Sequence, residues 1–195
     1  MVKRITVNLN PAFCILLALM LLILPLKWLL AAISAALFHE ICHIAAVSLC
    51  NGSIQKLDLR SGGAKLEISP LSYGQELICA LAGPLGGLFL LLFARWLPRI
   101  AVCAALQSLY NLLPIHPLDG GRALRCGATL FMTESHARSF CAVVEKICLS
   151  AIILVSVYAA AILKLGISAL FPAALILIHT KCGKIPCKRS PQRVQ

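Results

Sequence analysis

The chain has 195 residues, of which 60% are hydrophobic and 13% charged, and it carries a formal net charge of +11. Soluble domains carry about 25% charged residues, so this composition is typical of a membrane protein. The basic residues form no single patch and accompany no recognition module, which argues against a nucleic-acid-binding protein. Most of the ten cysteines fall in apolar stretches. There cysteine acts as a small hydrophobic residue, and we expect reduced thiols.

Six apolar stretches are long enough, or nearly long enough, to be transmembrane helices. They cover residues 11–26, 28–50, 74–95, 99–115, 138–163 and 166–180. The first, fourth and sixth are short, so tilt or local thinning of the bilayer must accommodate them. The expected fold class is an α-helical polytopic membrane protein, with one domain over 1–180 and a basic tail over 181–195.

The first stretch follows Lys3 and Arg4, and this pattern is also typical of a signal peptide, here with cleavage near Ala36. Cleavage at that point would remove the first half of the second predicted helix. The polar motif described next lies in the remaining half and would lose the helix that precedes it. We therefore expect an uncleaved membrane anchor.

The second predicted helix contains the sequence His39-Glu40-Ile41-Cys42-His43. Residues four apart lie on one face of a helix, so both imidazoles can bind one metal ion. Glu40 can reach a metal-bound water without being a ligand. Burying ionisable groups in a bilayer costs on the order of 3 kcal/mol, so the motif predicts a functional metal site. Cys42 lies on another face, where we interpret it as a packing residue; ligation by its thiolate is the alternative.

Residues 53–69 alternate apolar and polar side chains on either side of Gly62-Gly63. This pattern predicts a small β-hairpin directly after the metal-binding helix. A connecting loop without a role is the alternative. The apolar positions are Ile54, Leu57, Leu59, Leu66 and Ile68.

A catalytic zinc usually has three protein ligands and one open position, so a third ligand is expected. The candidate is Asp119, which lies in Asn-Leu-Leu-Pro-Ile-His-Pro-Leu-Asp-Gly-Gly-Arg at 111–122. Pro114 and Pro117 prevent a regular helix, and the two glycines after Asp119 allow a sharp turn. We therefore expect Asp119 to face the second predicted helix. His116 is the alternative third ligand.

The segment from Gly120 to Met132 predicts a short amphipathic helix at the membrane surface. Most of the 18 lysine and arginine residues fall in the N-terminus, the hairpin, this segment and the tail. With six spans these regions lie on one side of the membrane, and the positive-inside rule makes that side the cytosol. Both termini are expected there.

The His-Glu-x-x-His motif in one predicted span, followed by Asn-x-x-Pro-x-x-Pro-Leu-Asp-Gly-Gly after a later one, resembles a known pair of motifs. The chain is similar to the site-2 protease family of intramembrane zinc metalloproteases. Within that family it most resembles the compact six-span branch related to a bacterial sporulation protease that processes a sigma-factor precursor. The resemblance covers roughly residues 10–180.

The resemblance implies one zinc ion per chain, with His39, His43 and Asp119 as its ligands and Glu40 as the catalytic base. It further implies that Asn111 helps to hold the substrate near the metal. The predicted hairpin would present an edge strand to the substrate. Its expected substrate-binding positions are Ile54, Leu57 and Ile68.

The chain departs from the family pattern at Gly87, where the family often has an asparagine. This departure weakens the expected role of the third predicted helix in substrate holding. No PDZ domain is inserted, and no nucleotide-binding domain follows the last predicted helix, so regulation by such modules is not expected.

The expected function is intramembrane hydrolysis of a membrane-tethered protein within the lipid bilayer of a bacterial cytoplasmic membrane. A sporulation sigma-factor precursor is a candidate substrate, and a membrane regulatory protein is a candidate partner. The alternative is a non-catalytic membrane protein that uses the same residues for metal binding or transport. Glu40 discriminates between them, since a purely structural site has no need of a general base.

Overall fold

The computed structural model describes residues 25–52, 71–161 and Ile176 in full, together with the backbone of three strands. The strands are β1 (Thr6–Leu9), β2 (Ile54–Arg60) and β3 (Gly63–Ile68). The helices are α1 (Leu26–Leu49), α2 (Tyr73–Phe89), α3 (Pro98–Asn111), α4 (Asp119–Phe131) and α5 (Glu134–Ala161). A 3-10 helix, Leu90–Phe93, continues α2.

Three of the described helices are long and apolar enough to cross a membrane: α1, α2 with its 3-10 extension, and α5. Large apolar side chains on these helices are exposed, among them Leu37 and Ile41 of α1 and Leu154 of α5. Extensive exposed apolar surface of this kind suits contact with lipid. These features support the polytopic helical membrane protein that the composition predicts.

The predicted span 99–115 corresponds to α3, which has only 14 residues. A helix of that length extends about 21 Å, less than the roughly 30 Å of a bilayer's hydrocarbon core. The helix ends early because Pro114 and Pro117 follow it. The predicted spans 11–26 and 166–180 lie almost wholly outside the described residues, so the count of six spans stays a prediction.

Local signals in the sequence set the starts of two helices. Ser72 and Gln75 form a capping box at the start of α2: Ser72 Oγ accepts from the Gln75 backbone N–H, and Gln75 Oε1 accepts from the Ser72 N–H. α5 begins at Glu134, before the predicted residue 138, and its carboxylate lies in the first turn. An acidic side chain there interacts favourably with the helix dipole.

The chain divides into two compact units, Met1–Lys146 and Ile147–Gln195. Within the first unit, α2 lies against α1, α3 and α4. Its buried residues are small, which lets neighbouring helix backbones approach closely. They are Cys79, Ala80, Gly83, Pro84 and Gly87.

Gly87 is packed against Ser108 of α3. A Cβ atom at Gly87 would lie 2.1 Å from the Ser108 hydroxyl oxygen, whose residue is fully buried. A larger side chain at Gly87 would therefore require at least the Ser108 side chain to move.

The three strands form one sheet in the order β1-β2-β3. β1 pairs with β2 in parallel, and β2 pairs with β3 antiparallel, with Leu57 opposite Leu66 and Ile54 opposite Ile68. β2 and β3 occupy the segment for which the sequence predicts a hairpin. β1 was not predicted, because its four residues are too few to show a clear alternation. β2 is thus paired on both sides, and the edges among the described strands are β1 and β3.

The segment between α3 and α4 folds back over the first turn of α4. Ile115 is only 1% exposed, and its carbonyl oxygen accepts a hydrogen bond from the Leu118 N–H at 2.9 Å. A Cβ atom at Gly120 would lie 2.1 Å from the carbonyl oxygen of Leu112. This close backbone contact packs the first turn of α4, which begins at Asp119, against the end of α3.

Replacing Gly120 by alanine tests this contact. Gly120→Ala should lower the free energy of unfolding by about 1–3 kcal/mol, the usual cost of overpacking, because backbone atoms cannot move aside as a side chain can. Gly127→Ala is the control on the same helix, since a Cβ there meets nothing within 4 Å. Thermal unfolding of the full chain in detergent gives the measurement. Equal unfolding temperatures for the two variants would contradict the packing described.

Candidate metal centre

His39 and His43 lie on the buried face of α1 and are 3% and 7% exposed. Their four-residue spacing puts both rings over the same part of α2, where the chain has a glycine. A Cβ atom at Gly83 would lie 2.2 Å from Nε2 of His43 and 2.7 Å from Nε2 of His39. The missing side chain at Gly83 therefore makes the room in which the two imidazoles meet.

Asp119, the first residue of α4, reaches the same point from the other side. Its Oδ2 atom lies 3.1 Å from Nε2 of His39 and 3.1 Å from Nε2 of His43. The two Nε2 atoms are also 3.1 Å apart. Three donor atoms from three residues thus converge on one point. They belong to the three residues that the sequence analysis predicts as metal ligands.

The hydrogen bond on the far side of His43 determines which nitrogen faces this point. Nδ1 of His43 lies 2.7 Å from the carbonyl oxygen of Cys79, which can only accept, so Nδ1 carries the proton. In the neutral ring Nε2 is then a bare lone pair. It faces Nε2 of His39 and Oδ2 of Asp119 at 3.1 Å, so a cation placed among the three atoms would be bound by all of them.

The carboxylate is charged in this setting. Burial raises the pKa of the Asp119 carboxyl, but the contacts with His39 and His43 lower it by more, so the net pKa lies well below its ordinary value. An anionic oxygen and two imidazole nitrogens are ligands that Zn²⁺ commonly takes. At bond lengths of about 2.0–2.1 Å, two ligands of a tetrahedral zinc are roughly 3.3 Å apart, close to the separations seen here. The donor set fits zinc.

Asn111, at the end of α3, lies beside the metal-binding cluster, with its Nδ2 atom 3.4 Å from Nε2 of His39. Glu40 is half-buried on α1, between the two histidines in sequence. His116, the alternative third ligand, is exposed and does not belong to the converging group. Cys42 is also outside that group, and its sulfur lies against Gly86 of α2.

The expected substrate-binding positions Ile54, Leu57 and Ile68 lie in β2 and β3. Only the backbone of these strands belongs to the described part of the chain. Their part in substrate binding stays a prediction.

Two contributions to the site were missed by the sequence analysis: the carbonyl of Cys79, which orients His43, and the absent side chain of Gly83. The sequence does contain a signal for the second, since Gly83 precedes Pro84 within an otherwise apolar span. A backbone carbonyl gives no such signal, because every residue has one.

The structure is similar to that of a solved protein, a site-2 protease from Methanocaldococcus jannaschii. The TM-score is 0.67 at 17% sequence identity, and the similarity covers 98% of this chain and 96% of that chain. No family model matches the sequence. No curated relative matches it either. The expected resemblance is therefore confirmed at the level of the fold.

Replacing Gly83 by alanine tests the close approach of α1 and α2 at the site. Gly83→Ala should weaken zinc binding by on the order of tenfold or more, the effect usual for changes just outside the ligands, because its methyl group displaces the donor nitrogens. Chelator competition on the purified chain measures the affinity. Gly74→Ala, in the same helix, is the control, since a Cβ there meets nothing within 4 Å. Zinc binding equal in both variants would contradict the geometry described.

Proposed function

We propose that this chain, which has the fold of a site-2 protease, is a zinc-dependent intramembrane metalloendopeptidase of that family. His39, His43 and Asp119 would hold one zinc ion per chain, and Glu40 would be the catalytic base. The observation that carries the proposal is the convergence of three donor atoms, 3.1 Å apart, from two buried histidines and a half-buried aspartate.

The zinc ion and the residues around it would have different roles in peptide hydrolysis. A bound zinc ion would polarise the scissile carbonyl and lower the pKa of a bound water toward 7. Glu40, next to His39 in α1, would take the proton as water attacks the peptide carbonyl and then pass it to the leaving amine. The side-chain amide of Asn111 lies close to His39. From that position it would donate a hydrogen bond to the substrate carbonyl.

The substrate would be a protein with a transmembrane segment. Because a helix hides its peptide bonds in internal hydrogen bonds, the segment has to unwind before cleavage. Adding it as a strand to the edge of the sheet would satisfy the released backbone groups. Among the described strands β2 is paired on both sides, so β3 is the edge that the hairpin itself offers.

The finer features of the proposal rest on the sequence and the resemblance. They are a single protease domain over 1–180, six spans with both termini in the cytosol of a bacterium, and a sigma-factor precursor as a candidate substrate. A membrane protein that regulates access to the site is a candidate partner. The alternative function, metal binding or transport without catalysis, would leave Glu40 without a role.

Glu40→Gln separates catalysis from metal binding. The variant should retain zinc, because Glu40 is not among the converging ligands, but lose cleavage by a factor of about 10²–10⁴, as expected for a general base. The measurement compares zinc content with new protein termini, quantified by mass spectrometry in membranes of cells that express each form. Glu145→Gln on α5 makes the same chemical change away from the site and should behave as wild type. Identical termini with and without Glu40 would support the non-catalytic alternative.

The strand-addition model has its own test. Ile68→Pro removes a backbone donor from β3 and should lower cleavage while zinc is retained, because the hairpin is separate in sequence from the metal ligands. Leu57→Pro lies in the central strand and should lower cleavage as well, by breaking a ladder that is paired on both sides. Unchanged turnover of Ile68→Pro would rule out β3 as the substrate's partner.

A further inference from the structure

The two oxygens of Asp119 have different surroundings. Oδ2 faces the histidines, as described above, and Oδ1 faces the opposite way, 3.9 Å from Nη1 of Arg122. Arg122 lies three residues further along α4, so both side chains project from the same face of one helix. The guanidinium is about one-third exposed, whereas the carboxylate is 15% exposed. One oxygen therefore points toward the ligand atoms and the other toward the arginine.

Arg122 also forms an ion pair with a residue of a second helix. Its Nη2 atom lies 4.0 Å from Oε1 of Glu76 in the first turn of α2, the helix that carries Gly83 against the histidines. The guanidinium thus connects the carboxylate on α4 to an acidic side chain on α2. Isolated ion pairs with this much exposure contribute little to stability.

We propose that Arg122, held by Glu76, is a positioning residue for Asp119. This inference rests on the proposed function, because it assigns Asp119 as a zinc ligand. Arg122 would hold Oδ1 away from the metal, so that Asp119 binds through Oδ2 alone and leaves one coordination position open for water. The charge of Glu76 balances that of the guanidinium, which limits the repulsion between Arg122 and a divalent cation.

We expect a measurable effect because Arg122 lies next to Oδ1 of Asp119, the oxygen that faces away from the histidines. Groups that orient a metal ligand from outside typically change metal affinity by 10–100-fold when they are removed. A guanidinium has a planar fork of donors, whereas a lysine ammonium has only a point charge. Arg122→Lys should therefore restore part of what Arg122→Gln loses.

The chain provides a matched control. Arg125 lies one turn further along α4 and pairs with Glu134 at 3.5 Å, which is not a ligand. Arg125→Gln removes the same charge from the same helix and should leave metal affinity unchanged. A general effect of net charge on zinc binding would appear in both variants.

The experiment measures affinities for Zn²⁺ alone by chelator competition, and the visible spectrum of the chain loaded with Co²⁺, on the full chain in detergent. Arg122→Gln should bind Zn²⁺ at least about tenfold more weakly and change the Co²⁺ bands, at an unfolding temperature like that of Arg125→Gln. Combining it with Glu76→Gln should add no further loss, since Glu76 acts through Arg122. If Arg122→Gln does not fold, Arg122→Lys and Glu76→Gln supply the same comparison.

The outcomes separate this inference from the proposed function. Wild-type affinity and an unchanged Co²⁺ spectrum in Arg122→Gln, together with loss of metal in Asp119→Asn, would overturn the role of Arg122 and leave the metal centre intact. Retention of metal in Asp119→Asn itself would overturn the proposed ligand set. Equal losses of Zn²⁺ affinity in the Arg122 and Arg125 variants would show that the effect comes from net charge alone. That result would also overturn the inference.

Discussion

The structure of the first unit depends on the meeting of one carboxylate oxygen with two imidazole nitrogens at 3.1 Å. Both histidines are buried and Asp119 is half-buried, and the carboxylate comes from a different helix than the histidines. α1 supplies the histidine pair, and the backbone contact at Gly120 brings the first residue of α4 to them. Because a charged group is costly to bury without a partner, these residues are stable in this position only when their charges are satisfied together.

Satisfying those charges requires more than the three side chains. The proton on Nδ1 of His43 is donated to the carbonyl of Cys79, which leaves Nε2 of His43 facing Nε2 of His39 and Oδ2 of Asp119. A divalent cation at this point would be bound by all three atoms. The meeting of these three atoms also explains why α2 has a glycine at this point, because a side chain at Gly83 would occupy the position of the donor atoms. The features that would suit catalysis are therefore also the features that determine how closely these helices pack.

The sequence predicts the part of this arrangement that follows from short spacing. His39 and His43 share a face because they are four residues apart, and Asp119 stands out because prolines and glycines surround a carboxylate next to an apolar stretch. The break between α3 and α4 follows from the same prolines. The contacts of Cys79 with His43 and of Arg122 with Glu76 could not be predicted in this way, because they depend on which helices become neighbours. β1 was missed since four residues give too little pattern, and its pairing with β2 is remote in sequence.

The ligand set is most directly tested by the zinc K-edge X-ray absorption spectrum of the purified full chain. The account predicts nitrogen and oxygen neighbours at about 2.0–2.1 Å and no sulfur neighbour at about 2.3 Å. A sulfur shell at that distance would make a cysteine such as Cys42 a ligand in place of one of the three residues. Zinc without any bound imidazole or carboxylate would contradict the centre formed by His39, His43 and Asp119.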